Sequence, residues 1–283
     1  MIFATLGAKA QVLYKVSGNG ANGDSYVMGT HHFAPSSMLS DIKGFDAALN
    51  GVEAIYGEVE EGEINEEKVQ QLAKKYGEAP SDSTLSKVLT TDQFKLLDEI
   101  VKKYTNNMLT ADKFDTMTPA IVGMRISALQ TLAAFPEFNP ADQIDTKIQK
   151  MGKKQKKSTG GLETAEDQMK LLLGEPISVQ AASLVRSLSQ DMYAALLAKR
   201  LAELYAAQDI DGMLTLMNDP LLGMTSDEAA RMIFNRNVNW MRQIPSLIAE
   251  KPIMFVVGAG HLPGERGLLA LLKKAGYEVT PVN

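Results

Sequence analysis

Cysteine is absent from the 283 residues, which excludes disulfides and any thiol nucleophile. Histidine is almost absent, with three in all: His31, His32 and His261. Charge of one sign is not in large excess, and a net charge of -5 argues against general affinity for nucleic acid. No apolar run is long enough to span a bilayer. Also missing are the Gly-x-Ser-x-Gly elbow of serine hydrolases, the glycine-rich phosphate loop ending in Lys-Ser/Thr, and the His-Glu-x-x-His helix of zinc proteases. What is present is the composition of a soluble globular protein, 45% hydrophobic. That is ample for one large domain, or one with a sizeable insertion.

The few histidines are concentrated in two places. Ser25 to Phe33, SYVMGTHHF, ends an apolar segment in Gly29-Thr30-His31-His32, and Ile253 to Val257 runs into Gly258-Ala259-Gly260-His261. Each reads as an apolar strand followed by Gly-x-x-His. A short continuous apolar run before glycine suits a strand buried on both faces of a mostly parallel sheet. A glycine there permits a sharp turn, which leaves the histidine at the strand's carboxyl edge. Ligand crevices of open α/β sheets lie along that edge. Two such motifs holding every histidine in the chain point to one shared site.

In chain order, Val12 to Val16 reads as a strand followed by a glycine-rich turn and the strand of the first motif. Ser40-Asp41 is placed to cap a helix carrying Ile42, Phe45, Ala48 and Leu49. Ala54 to Glu60, AIYGEVE, is the next strand, and a right-handed crossover would lay it parallel to the first-motif strand. From about residue 65 to 248 the pattern is mostly helical. Thr90 to Gln93 has capping-box form, Thr118-Pro119 opens a helix, and Thr225 to Glu228 opens another. From Ser178 a long periodic face includes Leu184, Leu188, Met192 and Leu196. Lys156 to Thr164 suggests a short strand leading to a helix. Leu268 to Ala275 reads as a closing helix, and Tyr277 to Val282 as a last strand. The 15 methionines scattered through the helices read as core filler. The fold class is therefore α/β: a mostly parallel central sheet with flanking helices and a helical cap inserted over about 65–248.

Four polar residues are candidates beside the histidines. Glu58 falls at the end of its strand, where a carboxylate completes a two-histidine metal site or takes a proton from water. It equally suits a solvated acidic turn with Glu60, Glu61 and Glu63. Glu163 either enters the site or is a helix-start charge favoured by the dipole. Arg236, with Asn237, either clamps a substrate or oxyanion or forms a surface ion pair, with Trp240 packed on its stem. Six lysines between Lys147 and Lys157 form a solvated loop or attract an anionic partner. The first residues, Phe3 to Ala10, read like the tail of a signal peptide with an Ala-x-Ala end but lack the charged n-region and a full-length apolar core, so residues 1–10 are either the remnant of a truncated leader or an accidental likeness. The expected location is periplasmic or extracellular, with the cytoplasm as the alternative.

The sequence resembles the TraB/GumN family, which includes the Tiki-type metalloproteases. The resemblance rests on YKVSGNG leading into SYVMGTHHF, AIYGEVE, GLET at Gly161 to Thr164, NRNVNW, and VGAGHLPGERGLLALLKKAGYEV. It covers nearly all of residues 11–283 as a single domain. Erythromycin-esterase-like and ChaN-like proteins share the fold group. The resemblance implies an α/β fold with both Gly-x-x-His motifs facing one cleft and, in Tiki-like members, metal-dependent cleavage of a peptide or protein substrate. By position, His32, His261 and Glu58 would hold the divalent ion, manganese or cobalt in preference to zinc or iron. Arg236 and Asn237 match a polar pair in the family's late helix. His31 is an extra histidine, and Lys156 to Thr159 are more polar than the buried strand usual before GLET. The expected function is a metal-dependent hydrolase, a peptidase, with Glu58 as ligand or general base. Two rivals stand beside it: a non-catalytic metal-, haem- or peptide-binding protein of the same fold, and a metal-free His/Glu esterase. No feature of the sequence fixes the oligomeric state.

Overall fold

A computed structural model of the chain describes residues 11–63, 65–139 and 142–282. The leader-like stretch of residues 1–10 lies outside the described residues. Among the described residues there are six strands: β1 (Leu13–Ser17), β2 (Ser25–Thr30), β3 (Ala54–Gly57), β4 (Ser158–Gly161), β5 (Ile253–Gly258) and β6 (Glu278–Pro281). They form one sheet in the order β4-β3-β5-β2-β1-β6. The four strands β4, β3, β5 and β2 run parallel, and β1 is antiparallel to both β2 and β6. The chain is thus α/β, a mostly parallel sheet with flanking helices. β2 and β3 are parallel as the crossover predicts, but they are not neighbours: β5, from the far end of the chain, lies between them.

The inner strands are apolar because both faces are covered. Ile253, Met254, Phe255, Val256 and Val257 are all buried, as a central parallel strand requires. The polar character of Lys156 to Thr159 has a matching cause. β4 is an edge strand with Ser158 exposed, so it needs no continuous apolar face.

The described chain divides into two compact units. The first takes the residues up to Glu61, Asn139–Glu163 and everything from Leu201 onward; the second takes Gly62–Phe138 and Thr164–Arg200. In the first, Leu204, Tyr205, Ile210, Met213, Trp240, Ile244 and Ile248 share one buried cluster with the sheet. The helical stretch from 201 to 250 therefore belongs with the strands. In the second, Leu85, Leu97, Val101, Val122, Ile126, Leu184 and Leu188 build a separate core. Thr90 and Gln93 form the reciprocal capping box. Pro119 opens Pro119–Ala134 as expected, but the Thr118 side chain does not cap it: its hydroxyl donates to the Tyr76 carbonyl. In the first unit, Thr225 and Glu228 form a second capping box.

Four local expectations are corrected. Ser40-Asp41 do not cap a helix: Ser36–Asp41 is a 3-10 turn, and Phe45–Gly51 begins after Gly44, which is left-handed at φ 73°. A residue with Cβ is disfavoured there. The periodic run from Ser178 is not one helix but two, Ile177–Ser189 and Asp191–Ala206. The break at Gln190 changes the helical phase, so Met192 and Leu196 are exposed rather than buried. The six lysines are not a solvated loop. Most lie on the helix Ile144–Lys154, where Lys150 and Lys153 pair with Glu61, and Lys157 donates to the Asn50 and Val52 carbonyls. The methionines are mixed: Met28 and Met254 are fully buried, whereas Met108 and Met192 are more than three-quarters exposed.

Candidate active site at the carboxyl ends of four parallel strands

Each of the four parallel strands delivers a polar side chain just beyond its carboxyl end. β4 leads to Glu163, β3 to Glu58, β5 to His261 and β2 to His31-His32. Parallel alignment puts these ends along one edge of the sheet, the usual position of a ligand crevice. All of these residues lie in the first unit.

The glycines of the two Gly-x-x-His motifs serve a purpose other than the expected turn. Gly29 and Gly258 are the last or next-to-last residues of their strands, and neither has a positive φ. Their role is close approach. A Cβ on Gly29 would lie 2.9 Å from Leu262 Cδ2 and 3.1 Å from Ala259 Cα, and one on Gly258 would lie 3.3 Å from Glu58 Oε1. The motif thus packs two strand ends and one carboxylate tightly together.

Arg236 stands at the centre of the cluster, on the helix Asn235–Trp240, which follows directly on a π-turn over Ala230–Phe234. Such turns are widened helical turns that recur at functional sites. A guanidinium carries five N–H donors, and all five are engaged. Nε and Nη2 donate to the two oxygens of Glu163 at 3.0 and 2.5 Å. Nη2 also donates to Glu58 Oε2 at 2.5 Å. Nη1 donates to the Met232 carbonyl at 3.1 Å and to His261 Nε2 at 3.0 Å. Trp240 lies under the guanidinium at 4.9 Å, stacks on His261 at 4.4 Å between ring centroids, and donates its indole N–H to Glu163. Arg236 is only 8% exposed, so these contacts are made largely out of water.

The tautomer of His261 follows from Asn237. The amide Nδ2 of Asn237 donates to two carbonyls, those of His261 and Arg266, both at 3.1 Å. Its Oδ1 therefore faces His261 Nδ1, at 2.7 Å, and must accept. Nδ1 carries the proton, and Nε2 presents a lone pair to Arg236. Burial pushes the imidazole down to about 3, against the pull of Glu58, so His261 is neutral. Glu58 is the converse. Burial opposes its charge, but Arg236, His261 and the Gly258 N–H together hold the carboxyl down to about 2. The Gly258 N–H donates to its Oε1 at 2.8 Å, and that oxygen lies 3.7 Å from His261 Nε2. Glu58 thus turns away from its acidic neighbours: Glu60 accepts from Thr159, and Glu61 pairs with the lysines.

His32 is paired elsewhere in the same unit. Its Nδ1 lies 2.6 Å from Asp145 Oδ2, and its side chain is 59% exposed. The hydrogen bond to Asp145 raises His32 to about 9. Asp145 was not among the expected residues. It sits in the first turn of Ile144–Lys154, where an acid is ordinary, and its other oxygen, Oδ1, is buried without a hydrogen-bond partner. Ser36, held by Asp142, and Pro35, bridged to Gln143, fasten the His32 loop to the same segment. His31 goes a different way. Its Nδ1 accepts from the Phe33 N–H, its ring lies against Phe33 and Tyr205, and burial, then the charge of His32, lowers it to about 4. Tyr205 in turn donates to the Gly29 carbonyl at 3.1 Å. His31 is thus a packing residue at the base of the loop.

The structure therefore gathers Glu58, Glu163, Arg236, Asn237 and His261 into one hydrogen-bonded cluster. The charge of Glu58 raises His32 and that of Arg236 lowers it. The chemistry of these donors suits a divalent cation. His261 has Nδ1 tied to an oxygen, which turns Nε2 into the site, and the Glu58 carboxylate is ionised; His32, raised to about 9 by Asp145, would have to give up a proton before its Nε2 could ligate. A cation is in fact bound at this point, the guanidinium of Arg236. No group of three His, Asp or Glu among the described residues is spaced to hold an ion.

Comparison with known proteins gives one match. The sequence model of the TraB/PrgY/gumN family matches residues 12–281. No curated protein matches the chain, and no solved structure does. Among the described residues, no helix is long and apolar enough to cross a membrane.

Proposed function

The chain belongs to the TraB/PrgY/gumN family, and from that premise we propose that it is a metal-dependent hydrolase acting on peptide bonds. The observation that carries this reading is the pair formed by His261 and Glu58: a neutral imidazole with its Nε2 lone pair directed into the site, 3.7 Å from an ionised carboxylate. His261 and Glu58 would hold the ion, with His32 as the third ligand, and manganese or cobalt is the ion expected. When bound, a divalent ion lowers the pKa of its water and polarises a carbonyl.

The remaining work falls to the chain itself. Asn237 keeps the proton of His261 on Nδ1, and Asp145 holds His32 as an imidazolium, which would release its Nε2 proton on taking up an ion. Trp240 and the sheet exclude water from one side of the cluster. Arg236, whose five N–H groups are all engaged in the metal-free cluster, would offer donors to the developing negative charge of an attacked carbonyl on releasing Glu58 or His261. A metal-free acid–base hydrolase is less well supported. Efficient general acids and bases titrate near the working pH, whereas Glu58 lies near 2, His261 near 3 and His32 near 9.

Incubating the purified chain with a denatured-protein and peptide library, with product detection by mass spectrometry, tests the reading. Cleavage is expected with manganese, to stop with a chelator, to return on adding manganese back, and to be lost in His261→Ala and Glu58→Ala. Cleavage that survives chelation would favour the metal-free reading; a bound ion without any turnover would favour a binding protein.

A further inference from the structure

Resting on the reading that this site takes a divalent ion, we propose that Arg236 is the site's own resident cation and competes with the metal for Glu58 and His261. Its guanidinium uses the atoms a metal would need. Nη2 occupies Glu58 Oε2, and Nη1 occupies the His261 Nε2 lone pair. With all five N–H groups paired and the side chain buried, the metal-free cluster is closed, with one guanidinium shared between two carboxylates. Ions enter only when the guanidinium releases those two acceptors.

Glu163 supplies the pivot for that release. It holds Arg236 through Nε and Nη2, two contacts that are independent of Glu58 and His261. Trp240 donates its indole N–H to the same Glu163 Oε2 that takes Arg236 Nε. Arg236 can thus surrender the two metal donors and keep a bidentate carboxylate partner. Its freed Nη1 is then available to a substrate carbonyl. Apparent affinity falls by the fraction of molecules in the competent state, so the resident arginine weakens metal binding, and its removal strengthens it.

The test is titration calorimetry with manganese(II) chloride on the full chain, wild type beside Arg236→Gln and Arg236→Lys, with circular dichroism to confirm folding. Arg236→Gln is expected to bind manganese on the order of tenfold more tightly than wild type. Arg236→Lys keeps the charge but cannot hold both acceptors in one planar fork, so it too is expected to bind more tightly. It also serves as the reporter if the glutamine variant does not fold. Weaker or unchanged affinity in both variants, with the wild type still binding one ion, overturns the competition and leaves the metal reading intact. Tighter binding in Arg236→Gln with Arg236→Lys equal to wild type assigns the effect to charge alone and also overturns it. If neither the wild type nor the variants bind manganese, the metal reading and the competition fail together.

Discussion

Glu58→Gln is the most informative single change, because both oxygens of Glu58 are acceptors in fixed roles. Oε1 takes the Gly258 N–H and Oε2 takes Arg236 Nη2. A glutamine amide must turn its own NH2 toward one of those donors, so the change removes a charge and sets donor against donor. Losing one partner of a buried ion pair costs roughly 3–5 kcal/mol. Glu163 still holds Arg236, so the lower end, about 3 kcal/mol, is expected. A domain of about 150–250 residues changes its melting temperature by roughly 2–4 °C per kcal/mol, which gives a drop of about 6–12 °C at pH 7. Thermal and denaturant unfolding of the metal-free protein, followed by circular dichroism, measures it. The pH dependence adds a second check. Because the carboxyl of Glu58 is held down to about 2, its contribution is complete above its unfolded value near 4.5 and is lost as pH falls through 2. The gap between wild type and Glu58→Gln should therefore hold at neutral pH and narrow below 4.5. A loss under about 1 kcal/mol at pH 7 would mean that solvent screens this pair as at a surface, and would refute the buried cluster.

Three further outcomes are expected. His261 is held neutral down to about pH 3, whereas the unfolded chain takes up that proton near 6.5. Stability from this group is therefore complete above 6.5 and falls by about 1.4 kcal/mol per pH unit toward 3; His261→Gln should flatten that slope in acid unfolding curves. Asp145→Asn is expected to bring the His32 imidazole down from about 9 toward the ordinary 6.5, read by NMR titration of the ring protons, and an unmoved titration would break the pair. Gly29→Ala places a methyl 2.9 Å from Leu262 Cδ2 and 3.1 Å from the Ala259 backbone. A loss of about 1–3 kcal/mol in denaturant unfolding is expected from such overpacking, and full tolerance would contradict the close-approach role of the motif glycine.

Much of the sheet was legible because its signals are local. Apolar runs ending in glycine mark β2 and β5, and the three residues after each glycine carry the histidines to the edge. The order of the strands was not legible. Nothing in the residues of β2 and β3 says that a strand some 200 positions later comes between them. Asp145 escaped notice for a similar reason. It is 113 positions from His32, and an acid in a first helical turn already has an adequate local explanation. The ambiguity of Glu58 was real at the level of sequence: four acids occur between 58 and 63, and only the Gly258 N–H and Arg236 distinguish the first. Arg236 was expected to face a substrate or a surface partner. In the folded chain its partners are the very side chains expected to hold a metal. Met192 and Leu196 continued an apolar period that the chain interrupts at Gln190, and a break at a single residue leaves almost no trace in composition.

The most direct measurement is the metal content of the purified chain after equilibration with manganese, by elemental analysis, for the wild type beside His261→Ala and Glu58→Ala. One ion per chain in the wild type and none in either variant is the expected result, and it would join the two ends of the sequence in a single metal site. A wild type that takes up no manganese, cobalt, zinc or iron would contradict the account and leave Arg236 as the only cation this site holds.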